Sequence, residues 1–268
     1  MSKYNKGQQA LIDAPADHKA IGVAGAGTGK TTTILARTKR ILTENKTGNV
    51  LLITFTRAAA NDMKTRLDLE LNPRPFDDPA ALPFQDEAPF IDMRRIMSGT
   101  FHSVIGIFIR RYAVDVGLSP NFSVIDENST KIMYRNLIEA NPLYVNFLTK
   151  WAMQPNDKKL GKKHFDLAAN TASMLVNAAT PSELMNGHFS DATLYQLSKT
   201  HRTITEENVR EVAEFVYKLF KESIADGKRT NTITYDQILF IGYLMAQADM
   251  LANERQAFIH TIVDEYQD

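Results

Sequence analysis

Between an apolar run, Ala20 to Ala24, and a stretch of helical periodicity, Lys30 to Leu42, the chain reads Gly25-Ala26-Gly27-Thr28-Gly29-Lys30-Thr31. No other stretch limits the fold so tightly. Alternate glycines let the backbone curl until successive N–H groups face one point. A helix that starts at once behind them aims its positive end at the same point. Such a turn is built where a buried parallel strand feeds a covering helix, so it predicts an α/β chain with Ala20 to Ala24 as a buried strand. The pattern departs from G-x-x-x-x-G-K-[ST] only at its first position, Ala24. Lys30 is then placed to reach the β- and γ-phosphates of a nucleoside triphosphate, and the Thr31 hydroxyl to ligate Mg²⁺. The bland alternative is a glycine-rich turn with an incidental lysine, and the strand–turn–helix context argues against it.

The rest of the chain extends the same scheme. Val50 to Phe55 reads as a second buried strand and Arg57 to Leu71 as its helix. Ile96 to Thr100 reads as a third strand, followed by a helix from Phe101 to Val116. Residues 72–92 hold Pro73, Pro75, Pro79, Pro83 and Pro89 with a run of acidic residues, and read as a loop. From about Asn121 to Asp226 helical periodicity dominates, which predicts an all-helical subdomain inserted into the α/β domain. Thr234 to Leu251 reads as a further helix and Ala257 to Val263 as a returning strand. The expected division is 1–118 and 229–268 for the α/β domain and 119–228 for the insertion.

Composition removes several classes of function. Lys plus Arg and Asp plus Glu both number 31, so any nucleic-acid surface must be local. There is no Cys, which rules out a disulfide scaffold and Cys-ligated zinc or iron–sulfur sites and fits a cytoplasmic protein. The first residues lack the apolar core of a signal peptide, and no stretch is long and apolar enough to span a membrane.

A second cluster complements the first. Asp264-Glu265-Tyr266-Gln267-Asp268 follows the apolar run Phe258 to Val263. Alone, an acidic segment is more often a solvated tail. Paired with a phosphate-binding turn, it supplies a carboxylate for Mg²⁺, Asp264, and a candidate general base for water, Glu265.

The order of these motifs resembles the UvrD/Rep/PcrA-like superfamily 1 DNA helicases. Ala24 to Thr31 matches their AGAG[ST]GKT, and Asp264 to Asp268 matches their DE-x-QD. Asn5 and Gln8 resemble the upstream motif whose Gln reads the adenine edge. Thr54-Phe55-Thr56-Arg57-Ala58-Ala59-Ala60 resembles TFTNKAA, and Thr100-Phe101-His102-Ser103 resembles TFHS, both of which meet single-stranded DNA. Phe122 to Asp126 resembles the entry to the inserted subdomain, and Thr234 to Leu239 the segment leading back. The resemblance covers the whole chain. It departs at Thr32, where relatives commonly carry an Arg beside the adenine, and at Arg57-Ala58, which replace Asn-Lys.

The resemblance implies a RecA-like P-loop sheet flanked by helices and incomplete at its C-terminal end, with an exposed edge or apolar face. It implies ATP as substrate with Mg²⁺. Nucleotide contacts fall to Gln8, Ala24, Gly25, Ala26, Gly27, Thr28, Gly29, Lys30, Thr31, Thr32 and Gln267, and metal contacts to Thr31 and Asp264. Lys30 and Glu265 take the catalytic roles, and DNA contacts fall to Thr54, Phe55, Thr56, Arg57, Thr100, Phe101 and His102. Single-stranded DNA, or its junction with duplex, is the implied partner. A second RecA-like motor domain, with its catalytic arginines, lies outside these residues, so slow hydrolysis by the chain alone is expected. The competing readings are a P-loop ATPase of another kind and a nucleotide-dependent DNA- or protein-binding module that does not unwind. The basic cluster Lys158, Lys159, Lys162, Lys163 and His164 reads as a solvated loop.

Overall fold

The computed structural model describes residues 4–25, 27–72 and 91–265. In chain order the elements are α1 (Lys6–Asp13), α2 (Lys30–Glu44), β1 (Asn49–Ile53), α3 (Arg57–Leu71), β2 (Ile96–Gly99) and α4 (Phe101–Arg111). There follow β3 (Ser123–Ile125), α5 (Glu127–Ala140), α6 (Pro142–Ala152), α7 (Lys162–Ala178), α8 (Pro181–Asn186) and α9 (Asp191–Ser198). The chain continues through α10 (Val209–Thr230), β4 (Thr232–Thr234), α11 (Tyr235–Gln247), α12 (Ala252–Ala257) and β5 (Phe258–Val263). It forms two compact units, residues 1–105 with 249–268, and residues 106–248.

The first unit is α/β, as the glycine-rich turn predicts. Its sheet is parallel, with strand order β2-β1-β5. Val50, Leu51, Leu52 and Ile53 of the central strand are all buried, as expected for a strand covered on both faces. Leu35, Ile41 and Leu42 of α2 and Met63, Leu67 and Leu71 of α3 pack with Val50, Leu52 and Ile96 into one core. Local chemistry sets the helix starts. Asn5 and Gln8 form a reciprocal capping box on α1, and the Thr56 hydroxyl accepts from the Ala59 N–H at the start of α3.

Register within this sheet has one irregularity. Asn49 faces Phe258 but Val50 faces His260, so Ile259 is an extra residue on β5. Gly48 lies against it with φ 88°, and a Cβ there would stand 2.3 Å from Ile259 Cγ2.

One expectation is overturned. Ala20 to Ala24 is not a strand; it is irregular chain outside the sheet, with Ile21 80% and Val23 96% exposed. A parallel strand needs a ladder partner. Both edges of β1 are taken, by β2 and β5, and the run 20–24 pairs with no strand among the described residues. The run thus leaves the apolar side chains of Ile21 and Val23 exposed. The proline-rich and acidic loop falls largely on residues 73–90, outside the described residues.

The second unit is built mainly of helices. Tyr134, Ile138, Leu148, Trp151, Phe165, Ala168, Leu175, Val212, Val216 and Leu219 form its main core across α5, α6, α7 and α10. Phe220 of α10 packs edge-on to Phe240 of α11 at 5.5 Å between ring centroids, with Leu184 beside them. The insertion also holds two strands that its helical periodicity conceals: β3 and β4 pair in parallel, Ser123 with Thr232 through Ile125 with Thr234. These ladders tie 231–247 to the helical unit, so the compact units divide after 105 and 248, against the expected 118 and 228. The helix from Phe101 ends at Arg111, short of Val116, and that from Thr234 ends at Gln247.

Candidate functional site

The three strands of the first unit stop on one rung. Ile53 pairs with Gly99 on one side and with Val263 on the other. Three chain segments therefore leave the carboxyl edge together: Thr54-Phe55-Thr56-Arg57, Thr100-Phe101-His102 and Asp264-Glu265. Ligands bind at this edge in open parallel sheets.

The glycine-rich turn is held by its own polar groups. The Thr28 hydroxyl donates to Gly25 O at 2.7 Å, and the Thr33 hydroxyl donates to Gly29 O at 2.9 Å. Gly27 (φ 73°) and Gly29 (φ 86°) take left-handed backbone that other residues resist. Gly29 is the N-cap of α2 and gives no side-chain cap, and the first turn carries no acidic residue. The N–H groups at the start of α2 thus keep the positive potential that attracts an anion. Ala24, Gly25, Gly27, Thr28 and Thr32 are exposed, and Thr31 is half-buried. Ala26 lies outside the described residues, as does Gln267.

Lys30 and Glu265 meet across 235 residues of sequence. Lys30 Nζ donates to both carboxylate oxygens of Glu265 at 2.9 Å. Each side chain is about one-third exposed (31% and 34%). Glu265 takes φ 53°, a left-handed conformation uncommon for a residue with a Cβ. Asp264 continues the ladder, its N–H donating to Ile53 O at 2.8 Å. Burial, and then the neighbouring Glu265 charge, push the Asp264 carboxyl above its ordinary value, with Lys30 opposing. A half-buried carboxylate beside a like charge is one that a divalent cation would relieve, so the donor set fits Mg²⁺.

Gln8 is engaged at both ends of its amide. Its Oε1 accepts from the Asn5 N–H at 2.9 Å, and its Nε2 donates to Thr28 O at 3.0 Å. The residue that resembles an adenine reader thus also holds the phosphate turn.

The DNA-motif residues divide into two groups. Phe55 (65% exposed) and Phe101 (45%) stand open, each two positions past the paired Ile53 and Gly99. Arg57 is exposed at the start of α3, and His102 is half-buried. Thr54 is buried, its hydroxyl donating to Thr56 O at 2.8 Å, and Thr56 caps α3. Thr100 accepts from the Ser103 N–H at 3.3 Å. The threonines therefore shape the turns that present the aromatic rings. Gly99 permits the turn after β2, since a Cβ there would stand 2.4 Å from Ser103 Oγ.

Two residues absent from the sequence reading belong to this region. Arg37 of α2 is buried, and its Nε donates to His260 Nε2 at 3.0 Å. His260 Nδ1 in turn meets Ala16 O at 2.5 Å. A carbonyl only accepts and a guanidinium only donates, so this imidazole is neutral with its proton on Nδ1. Burial, and to a lesser degree Arg37, hold the His260 pKa below the ordinary histidine value. Neutral His260 therefore contributes stability that is complete above the unfolded value of about 6.5 and is lost as pH falls through the lowered folded value. From pH 7 to pH 5, the wild-type Tm should fall further than that of His260→Asn, as calorimetry would record. Parallel slopes would show that the ring does not titrate with folding. Nothing in the spacing of Arg37 and His260 signals this pairing.

Comparison with known proteins bears on the family of the chain. Residues 4–268 match the model of the UvrD/REP helicase N-terminal domain. The chain is 27% identical over 272 residues to the ATP-dependent DNA helicase srs2 of Schizosaccharomyces pombe, covering 98% of the chain and 26% of that protein. It is 26% identical over 250 residues to the ATP-dependent DNA helicase PcrA of Leuconostoc citreum, covering 92% and 27%. It is 27% identical over 253 residues to the ATP-dependent DNA helicase UvrD1 of Mycobacterium leprae, covering 92% and 26%. The chain thus spans about a quarter of the length of these relatives.

Proposed function

The chain belongs to the UvrD/REP helicase N-terminal domain family, and from that premise we propose that it is the ATP-binding motor portion of a 3′–5′ single-stranded-DNA translocase. The observation that carries this reading is the bidentate Lys30–Glu265 pair at the exit of a strand in register with β1. It brings the phosphate-binding lysine and the candidate base into one site.

The residues then act as follows. N–H groups of the Gly25–Lys30 turn and the start of α2 receive the phosphates. Lys30 turns from Glu265 to the β- and γ-phosphates. Thr31 and Asp264 would hold Mg²⁺, which supplies charge neutralisation at the transferring phosphoryl group. Glu265, released from Lys30, orients a water and accepts its proton. Arrival of the phosphate therefore arms the base, and without phosphate Lys30 silences it. Phe55 and Phe101 stack on bases of single-stranded DNA, each worth about 1–3 kcal/mol, while Arg57 meets the backbone. In the 268 residues alone turnover is expected to be slow, because a catalytic arginine from a second motor domain contributes about 10³–10⁵ in rate.

The test is calorimetric titration of Mg-ATP into wild type and Lys30→Ala, with and without a single-stranded oligonucleotide. Loss of one charge-assisted phosphate contact should weaken binding by about 10- to 100-fold. Equal affinities would end the nucleotide reading. ATP binding with no measurable affinity for the oligonucleotide would favour an ATPase that acts on something else.

A further inference from the structure

We infer that Arg37 is a positioning residue for the nucleotide site, tying together the three elements that carry Gln8, the phosphate turn and the Asp264–Glu265 pair. The inference rests on the nucleotide reading above.

Arg37 lies on α2, the helix whose first turn holds Lys30 and Thr31, and is 8% exposed. A guanidinium so buried is costly unless its N–H groups are all received. Its partners come from two other elements. Nε donates to His260 Nε2 on β5. Nη1 donates to Leu11 O and, at 2.9 Å, to Ala14 O, while Nη2 donates to Pro15 O at 2.9 Å. Those carbonyls lie at and just past the end of α1, where a helix leaves its last carbonyls without partners and favours a cation. Arg40 adds bonds to Ile12 O at 2.5 Å and Ala14 O at 3.3 Å. His260 closes the ring by donating to Ala16 O.

No carboxylate pairs with Arg37 among the described residues; its charge is met by carbonyl dipoles and a neutral ring. What this arrangement supplies is direction, since the rigid fork fixes α1 relative to α2 and β5. Each tied element ends in the site. From α1, Gln8 reaches Thr28 O, so close to the turn that a Cβ on Gly29 would stand 2.9 Å from its Nε2. His260 precedes Asp264 by four residues on β5. A shift of α1 of roughly 1 Å would take the Gln8 amide off the phosphate turn, and misplacement on that scale can cost up to about 10²-fold.

The experiment is a double-mutant cycle read by Mg-ATP titration of the full 268-residue chain. Arg37→Lys keeps the charge and loses the fork, and Gln8→Ala removes the link to Thr28. Each single change should weaken Mg-ATP binding by about five- to twentyfold, and the double change by no more than the worse single one. Arg37 and Gln8 do not touch, so a merely structural arginine would give losses that multiply. Multiplying losses, or Arg37→Lys binding as wild type does, overturn the inference. If Lys30→Ala is weakened while Arg37→Lys is not, this inference alone fails; if Lys30→Ala binds as wild type does, the nucleotide reading fails with it. Should Arg37→Lys lose its melting transition, His260→Asn decides. It keeps a donor for Ala16 O and, being shorter than the imidazole, draws the acceptor back from Arg37 Nε. A threefold or larger loss of affinity, absent in the Gln8→Ala background, supports the role, and unchanged affinity overturns it.

Discussion

Replacing Glu265 with Gln slows hydrolysis of bound ATP by about 10²–10⁴-fold, the usual contribution of a positioned general base. The same change tightens Mg-ATP binding by about two- to fivefold, because a partly exposed ion pair is worth up to about 1 kcal/mol and Lys30 no longer has to leave one. The two effects have opposite signs and follow from one carboxylate, which receives Lys30 at 2.9 Å. Single-turnover hydrolysis measures the first and calorimetry the second. Weaker nucleotide binding by Glu265→Gln would mean that the carboxylate assists the phosphate site instead of competing for its lysine.

The largest expected effect on stability lies in the helical unit. Phe220 is fully buried between Phe240 and Leu184 on the longest helix, α10. Phe220→Ala leaves a cavity and should cost about 3–5 kcal/mol, which at this unit's size lowers Tm by roughly 10 °C or more. Thermal unfolding followed by circular dichroism checks it. A fall of less than about 3 °C would mean that the cluster collapses around the gap.

Much of the first unit could be read in advance, for local reasons. Val50 to Phe55 reads as a buried strand and the strand runs Asn49–Ile53, while Arg57 to Leu71 matches its expected bounds residue for residue. Lys30 and Asp264-Glu265 were singled out by residue type and by their strand-edge placement, and the fold brings Lys30 to Glu265. Ala20 to Ala24 has the same apolar character but failed as a strand, because pairing depends on a neighbour that composition cannot reveal. Arg37 and His260 were illegible for a related reason. Their bond spans 223 positions and carries no spacing rule. β3 and β4 were missed because three residues each are too few to set a period against the surrounding helices. Gln8 was noticed for one role, and its second bond, to Thr28 O, emerged only from geometry.

The extra residue on β5 has a bearing on the chemistry at that strand's far end. Strand pairing is a count, and the count for β5 begins where Gly48 makes room for Ile259. Without that allowance, and with Asn49 still facing Phe258, the ladder would close one place earlier on β5. Val263 would then stand where Asp264 now follows Ile53, and Asp264 would take the place of Glu265. The placing of the two candidate carboxylates is thus indexed by a glycine at the opposite end of the sheet. Damage there would mimic an active-site lesion while leaving every active-site residue in the sequence intact.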